Sequence, residues 1–395
     1  MTEATHISSA SRRLFPSTPA YLLFLVWLEA GYAVALRLVA GLPWGTAAWQ
    51  AAVSMVAVVP LLLAVLHLLS LPKLLRRLPR AMMVLWWNLA TLAEFLLPWL
   101  GWAALIWFAN YGELAWATAL RAGAAIAAFS YITGLGIIVR FRPRPGDVEL
   151  TRLEIPVAGL PTSFDGYQIL HLSDLHANAF LSVSRIRRRL AAAGALTPDL
   201  VVFTGDLADQ TPGRAEAVAE ELARLNNSDG VVAVLGNHDI WAGEERAASA
   251  LAENGVRVLR NEHTRLSRDG ADLYLAGVND SAYTGKADLA AALAGIPEGV
   301  VVILLSHAPT IVRDPLAGRA ALILAGHTHG GQVVLPVIGP LYVPSRLGRR
   351  HAAGLHRIGN AWLFITRGVG EIIPPLRINC PPEIALLTLR AAAPN

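Results

Sequence analysis

The chain has 395 residues, 54% hydrophobic and only 16% charged, with a mean hydropathy of +0.46 and a formal net charge of +4. Soluble globular chains are closer to one quarter charged, so this balance excludes a disordered chain, a coiled coil and an ordinary soluble enzyme. Residues 1–140 hold nine Lys or Arg against four Glu and no Asp, so the pI of 9.4 belongs to the apolar third and points to no nucleic-acid partner.

The first predicted elements are four apolar stretches, about 20–42, 48–71, 83–108 and 115–139. Each reaches the ~20 residues a helix needs to cross ~30 Å of hydrocarbon. In lipid, backbone groups must be satisfied within the segment, which leaves helix as the conformation. The sequence therefore predicts a four-helix transmembrane part over 1–140. Arg12 and Arg13 precede the first stretch, Lys73, Arg76, Arg77 and Arg80 fill the second loop, and Arg140, Arg142 and Arg144 follow the fourth. Trp44, Trp49, Trp107 and Trp116 gather at the loops that lack Lys and Arg. Basic residues stay inside and Trp sits at interfaces, which predicts a multi-pass cell-membrane protein with its soluble part on the cytoplasmic side. Ser11-Arg12-Arg13-Leu14-Phe15, read as a twin-arginine signal, would place that part on the exported side instead. A third span broken at Glu94 and Pro98 would also reverse the parity. The single cysteine, Cys380, excludes an internal disulfide and fits a reducing compartment.

Arg142-Pro143-Arg144-Pro145-Gly146 ends the last apolar stretch, and 141–166 reads as a linker and a first strand carrying Val148, Leu150, Leu153 and Ile155. From Tyr167 the pattern changes, and 167–395 reads as a layered α/β domain. Strands are predicted at 167–172, 199–204, 231–235, 272–277, 300–305 and 320–325, with helices at 183–194, 214–226 and 242–253 between them. Runs as apolar as Val301-Val302-Ile303-Leu304-Leu305 predict strands buried on both faces.

Polar residues cluster just after these strands, where open α/β sheets place their sites. They are Asp174 and His176; Asp206 and Asp209; Asn237 and His238; His307; and His327 and His329. All are nitrogen or oxygen donors with no thiolate, an inventory suited to two divalent cations sharing one carboxylate. Alternate residues of an extended segment leave the same face, so Asp-x-His and His-x-His are each expected to serve one centre. Glycines 205, 236, 326, 330 and 331 allow close backbone approach. Two cations held by two carboxylates keep a surplus of positive charge, which attracts an anionic ester and yields hydroxide from water near neutral pH. Arg367 and Arg377 are candidates for binding a phosphate, with structural pairing as the alternative. His171 is expected as a packed strand residue, and Asn279 and Asp280 as pocket lining or a turn.

Taken in order, the five blocks resemble the calcineurin-like metallophosphoesterase superfamily over roughly residues 148–390. Within it they are most similar to the membrane-associated YkuE/YaeI-type group and to transmembrane proteins with a metallophosphoesterase domain. Gly159-Leu160-Pro161 with Asp165-Gly166, Gly326 through Gln332, and Arg377 through Ile384 carry the finer likeness. The resemblance implies a metallophosphoesterase domain built as an α/β/β/α sandwich. It implies one metal held by Asp174, His176, Asp206 and His329, and another by Asp206, Asn237, His307 and His327, the pair drawn from Mn, Fe, Zn or Co. His238 would act beside the leaving oxygen, with Asp209 orienting it. Gln210 stands where protein Ser/Thr phosphatases carry Arg, which speaks against a phosphoprotein substrate, and His351 stands where the close group carries an aromatic residue. The expected function is a membrane-anchored phosphoesterase acting on a phosphodiester or pyrophosphate, for example a lipid-linked or nucleotide-sugar substrate such as UDP-2,3-diacylglucosamine. The expected partners are the lipid bilayer and that phosphoester, and no oligomeric state is implied. The rivals are a phosphomonoesterase and a non-catalytic membrane module with a structural or sensory metal domain.

Overall fold

Short apolar runs separated by turn residues set the architecture. The computed structural model describes residues 140–392, apart from 142, 145, 179–180, 210–213, 281–284 and 373–374. The four apolar stretches expected to span a membrane lie outside the described residues, and among the described residues no helix is long and apolar enough to cross one. The strands are β1 (Glu149–Ala158), β2 (Gln168–Leu172), β3 (Leu200–Phe203), β4 (Val231–Ala233), β5 (Arg257–Val258), β6 (Glu262–Arg268) and β7 (Ala271–Gly277). They continue as β8 (Val302–Leu305), β9 (Leu322–Ala325), β10 (Val334–Leu335), β11 (Gly339–Pro340), β12 (Gly354–Ile358), β13 (Ala361–Ile365) and β14 (Glu383–Ala392). The helices are α1 (Val183–Leu190), α2 (Arg214–Ala223), α3 (Asn237–Glu253) and α4 (Leu289–Leu293).

Two six-stranded sheets result, one in the order β1-β14-β2-β3-β4-β5 and the other β12-β13-β9-β8-β7-β6. In the first, β2, β3, β4 and β5 run parallel; in the second, β7, β8, β9 and β13 do. The alternation of side chains along each strand sorts the core into three layers. Leu170, Leu172, Val201 and Phe203 face outward onto Ile186 and Leu190 of α1, Val218 and Leu222 of α2 and Leu251 of α3. Their neighbours Ile169, Leu200 and Val202 face inward, where they meet Ile303, Leu305, Leu322, Leu324 and Phe364 of the second sheet. Val302, Leu304, Ile323 and Ile365 form the far layer against Leu289 and Ala292 of α4. Each fully buried Val, Leu or Ile contributes roughly 1.5–3 kcal/mol relative to exposure, so strands apolar on both faces hold the two sheets and their flanking helices together.

Three local departures from the sequence expectation bear on the site. The expected helix at 242–253 begins five residues earlier, at Asn237, and is kinked at Gly243, where φ is 134°. Its start is fixed by Asp239, whose carboxylate accepts the Gly236 amide at 3.0 Å and places acidic charge in the first turn, where the helix dipole favours it. The expected helix at 183–194 gives way after Leu190 to a 3-10 turn at Ala191–Ala193. Finally, β14 inserts between β1 and β2, parallel to one and antiparallel to the other.

Candidate metal centre

The carboxyl ends of β2, β3 and β4 from one sheet and of β8 and β9 from the other converge on a single buried cluster. Asp174, His176, Asp206, Asn237, His307, His327 and His329 are each no more than 6% exposed. The expectation that Asp-x-His and His-x-His act by strand alternation is corrected here. Asp174, His176, Asp206, His327 and His329 have positive φ, from 45° to 69°, so the chain has left the extended conformation before its donors appear. Asp174 and His176 still reach one group, whereas His327 and His329 diverge to two.

The distances show how the cluster divides. His329 Nε2 lies 3.3 Å from Asp174 Oδ1 and 3.0 Å from His176 Nε2. On the other side, His327 Nδ1 lies 3.1 Å from His307 Nε2. Asp206 sits between, its Oδ2 3.3 Å from His176 Nε2 and 3.1 Å from His307 Nε2. Two groups thus have the geometry to hold an ion, Asp174–His176–His329 and Asp206–His307–His327, and a third joins His176, Asp206 and His238.

The chemistry of the donors can be read from their outer hydrogen bonds. His176 Nδ1–H donates to Asp209 Oδ1 at 2.8 Å, and His307 Nδ1–H donates to the Thr204 carbonyl at 2.7 Å. Both rings therefore turn Nε2 toward Asp206. A bare nitrogen lone pair against a carboxylate in a dry site is repulsive unless a positive centre lies between them. In the absence of a cation a proton fills that role. Burial opposes protonation of His307, yet Asp206 prevails and pushes its pKa to about 10. Burial likewise opposes protonation of His176, and Asp209 with Asp206 raises it well above the usual imidazole value. Their partners stay neutral: burial and the adjacent His307 lower His327 to about 4, and burial, His176 and Arg377 hold His329 low. Asn237 Oδ1 is buried with no hydrogen-bond partner among the described residues, an orphan acceptor of the kind a cation satisfies. The residues fit divalent cations.

His238 differs from the rest in reaching solvent, its side chain being 30% exposed. Its Nδ1 lies 2.9 Å from Asp209 Oδ1, and its main-chain amide donates to Asp206 Oδ1 at 2.9 Å. The oxygen that holds His176 therefore also holds His238. The other Asp209 oxygen accepts from the Asn178 amide at 2.9 Å.

Asn178, Thr204 and Asp239 had no assigned role in the sequence reading. Asp239 is the last residue of Gly236-Asn237-His238-Asp239, and only the earlier helix start places it at the third helical position, where an acidic side chain caps the first turn. It accepts the Asp206 and Leu207 amides, each at 2.8 Å, and burial with the Asp206 charge raises its pKa to about 6. Two glycines permit the close packing: a Cβ on Gly236 would collide with the Asp206 carboxylate, and one on Gly326 with Ser173 Oγ and Asp174 Oδ2.

The two arginines proposed for phosphate lie elsewhere in the bonding pattern. Arg377 is 5% exposed and donates to the carbonyls of Arg367 at 2.7 Å and Gly370 at 2.6 Å; it clamps main chain behind His329. Arg367 pairs with Glu383 at 2.9 Å and Glu149 at 3.2 Å. Arg377 is thus engaged by main-chain carbonyls, and Arg367 by one buried carboxylate, Glu383, and one exposed one, Glu149. His171 is packed as expected, bonded to Thr204 Oγ1 at 2.9 Å and lowered to about 4 by burial. Asn279 takes a turn role through its amide, which donates to Asn261 Oδ1 at 2.9 Å, while buried Asp280 adds negative charge felt by His307 and His327. The His351 ring lies tilted against that of His356, with centroids 4.8 Å apart. Gln210 lies outside the described residues.

Comparison with known proteins adds independent findings. A family model described as calcineurin-like phosphoesterase matches residues 167–331. The chain is 31% identical over 271 residues to the uncharacterized metallophosphoesterase YkuE of Bacillus subtilis, covering 68% of this chain and 94% of that one. It is 32% identical over 253 residues to phosphodiesterase YaeI of Escherichia coli, covering 62% and 89%. A transmembrane protein with metallophosphoesterase domain from Danio rerio is 32% identical over 253 residues, covering 61% of this chain and 57% of that protein.

Proposed function

The chain belongs to the calcineurin-like phosphoesterase family and is a metal-dependent phosphoester hydrolase with two divalent cations; from that premise we propose that it is a membrane-anchored phosphodiesterase. In this reading Asp174, His176, Asp206 and His329 hold one cation, and Asp206, Asn237, His307 and His327 the other. The observation that carries it is Asp206 Oδ2, set between two imidazole nitrogens at 3.3 and 3.1 Å. When bound, the cations supply Lewis-acid charge to the phosphoryl oxygens and lower the pKa of a water. The chain's own residues do the rest. Asp209 fixes the Nδ1 side of His238, which leaves Nε2 to hand a proton to the departing oxygen. With Arg367 and Arg377 engaged in pairing, recognition of the phosphoryl group falls to the cations and His238.

The apolar stretches before residue 140 support anchoring, and the name of the Danio rerio relative is consistent with it. Loop arginines favour a cytoplasmic catalytic domain in a cell-membrane protein. A hydrolase held there meets lipid-linked phosphodiesters or pyrophosphates, of which UDP-2,3-diacylglucosamine is one chemical example. The test is turnover by the full chain in detergent with Mn²⁺ on monoesters, diesters and lipid-linked pyrophosphates. The expected result is preference for diesters or pyrophosphates, with His238→Asn slowing turnover by about 10²–10⁴-fold at unchanged metal content. Unchanged turnover in that variant would remove His238 from the reaction, and a preference for monoesters would refute the phosphodiesterase reading.

A further inference from the structure

The loop that carries His327 and His329 runs directly into an apolar hairpin. Residues 333–344 contain no charged side chain; β10 and β11 pair with each other, and an isolated bridge joins Val333 to Ile378. The base of the hairpin is fixed. Val334 donates to the Ile378 carbonyl at 2.9 Å, and the Asn379 amide donates to the Val334 carbonyl at 3.0 Å. A Cβ on Gly331 would stand 2.6 Å from Pro340 Cβ, so the hairpin rests on the metal-bearing loop.

Its tip, in contrast, is in solvent. Val337 is 94% exposed, Ile338 52% and Tyr342 57%. Val337 also has φ of 68°, a left-handed conformation that disfavours a β-branched residue; the backbone turns an isopropyl group into water. Contiguous exposed apolar groups of this kind mark interaction surfaces. Arginines flank the tip: the Arg349 guanidinium donates to the Ile338 carbonyl, and Arg346 and Arg350 are exposed. From Thr328 to Gly370 there is no Asp or Glu.

We propose that this hairpin inserts its tip into the headgroup region of an anionic bilayer and so brings the metal-bearing loop to the membrane surface. Apolar side chains leave water for the acyl boundary, Tyr342 lies at interfacial depth, and the arginines meet lipid phosphates. The proposal rests on the membrane-anchored reading above, which favours a bilayer over a second copy of the chain as the occupant. It brings a phosphoester borne on a lipid headgroup toward the loop that carries His327 and His329.

The test uses the full chain carrying Val337→Cys labelled with an environment-sensitive fluorophore, Cys380 being 3% exposed and wild type serving as the labelling control. The chain is reconstituted in phosphatidylcholine vesicles with or without phosphatidylglycerol. The expected result is a blue-shifted label quenched by spin-labelled lipid, more strongly with phosphatidylglycerol. A label at Glu298→Cys, before β8 and so at the end of that strand opposite His307, stays aqueous. Replacing Val337 and Ile338 together with Asp is expected to lower turnover of a vesicle-embedded diester about tenfold while sparing a soluble one. If the chain floats with vesicles while the label at 337 remains aqueous and open to iodide, the hairpin proposal falls and anchoring stands. If the chain does not float, both fall. A shift that follows protein density, without quenching from lipid, assigns the tip to a second copy and also overturns the proposal.

Discussion

One oxygen of Asp209 accepts from two imidazoles, His176 at 2.8 Å and His238 at 2.9 Å, while the other takes the Asn178 amide at 2.9 Å. In the proposed mechanism a donor to a metal and a proton donor to a leaving group are thus aligned by one carboxylate, whose rotation Asn178 restrains. The Asn178 side chain is held in turn, its Oδ1 accepting the Leu181 amide at 2.9 Å. Outer partners of metal-binding histidines typically influence affinity or activity by about 10–100-fold. Asn178→Ala is therefore predicted to lower kcat by about tenfold with little change in KM, and to broaden the pH profile's His238 limb. A fall in KM-dependent binding alone, with kcat intact, would show that Asn178 acts on substrate rather than through Asp209.

At the level of elements, the strands end where they must for the site to form, and the turns that follow do the aiming. Gly326 closes β9 against Ser173 and Asp174 of the β2 turn, with no room for a Cβ. Gly326→Ala is predicted to push the Asp174 carboxylate away from His329 and to cut metal occupancy, measured by elemental analysis, while circular dichroism stays near wild type. Full occupancy in a folded variant would mean that the two turns tolerate separation. These strand-end blocks were legible in the sequence because five strands buried on both faces, β2, β3, β4, β8 and β9, leave unmistakable apolar runs, and the polar residues that interrupt them stand out. The edges were not. β6 buries only Thr264 and β12 buries none of its five residues, so neither leaves an apolar run. The Ala and Leu pattern of β14 is as compatible with helix as with strand. The left-handed turns at Asp174, His176 and Asp206 were also hidden, since these residue types carry positive φ only where tertiary contacts enforce it. Arg377 shows the same limit: its sequence neighbourhood left phosphate binding and structural pairing both open, and only the fold reveals the carbonyls it holds.

Across the whole molecule, the site joins two sheets that share no ladder, so cation binding and the apposition of the sheets are coupled. In chelated protein the His307 proton stands in for a cation. Its pKa is about 10 when folded against 6.5 as the reference value, so its stabilising contribution is full below about pH 6.5 and is lost as pH rises through about 10. His176 shifts in the same direction. Chelated protein is therefore predicted to unfold at lower urea at alkaline pH than near pH 6.5, whereas Mn²⁺-loaded protein keeps its midpoint because the cation replaces the proton. Equal alkaline loss in both forms would separate the sheets' stability from the site.

The central claim is that Asp206 is shared between two cations. Its most direct test is metal content with electron paramagnetic resonance on the full chain loaded with Mn²⁺, wild type against Asp206→Asn. The account predicts about two ions per chain in wild type, an exchange-coupled signal, and loss of that coupling in the variant with no more than one ion retained. Two coupled ions in Asp206→Asn, or no paired signal in wild type, would contradict it.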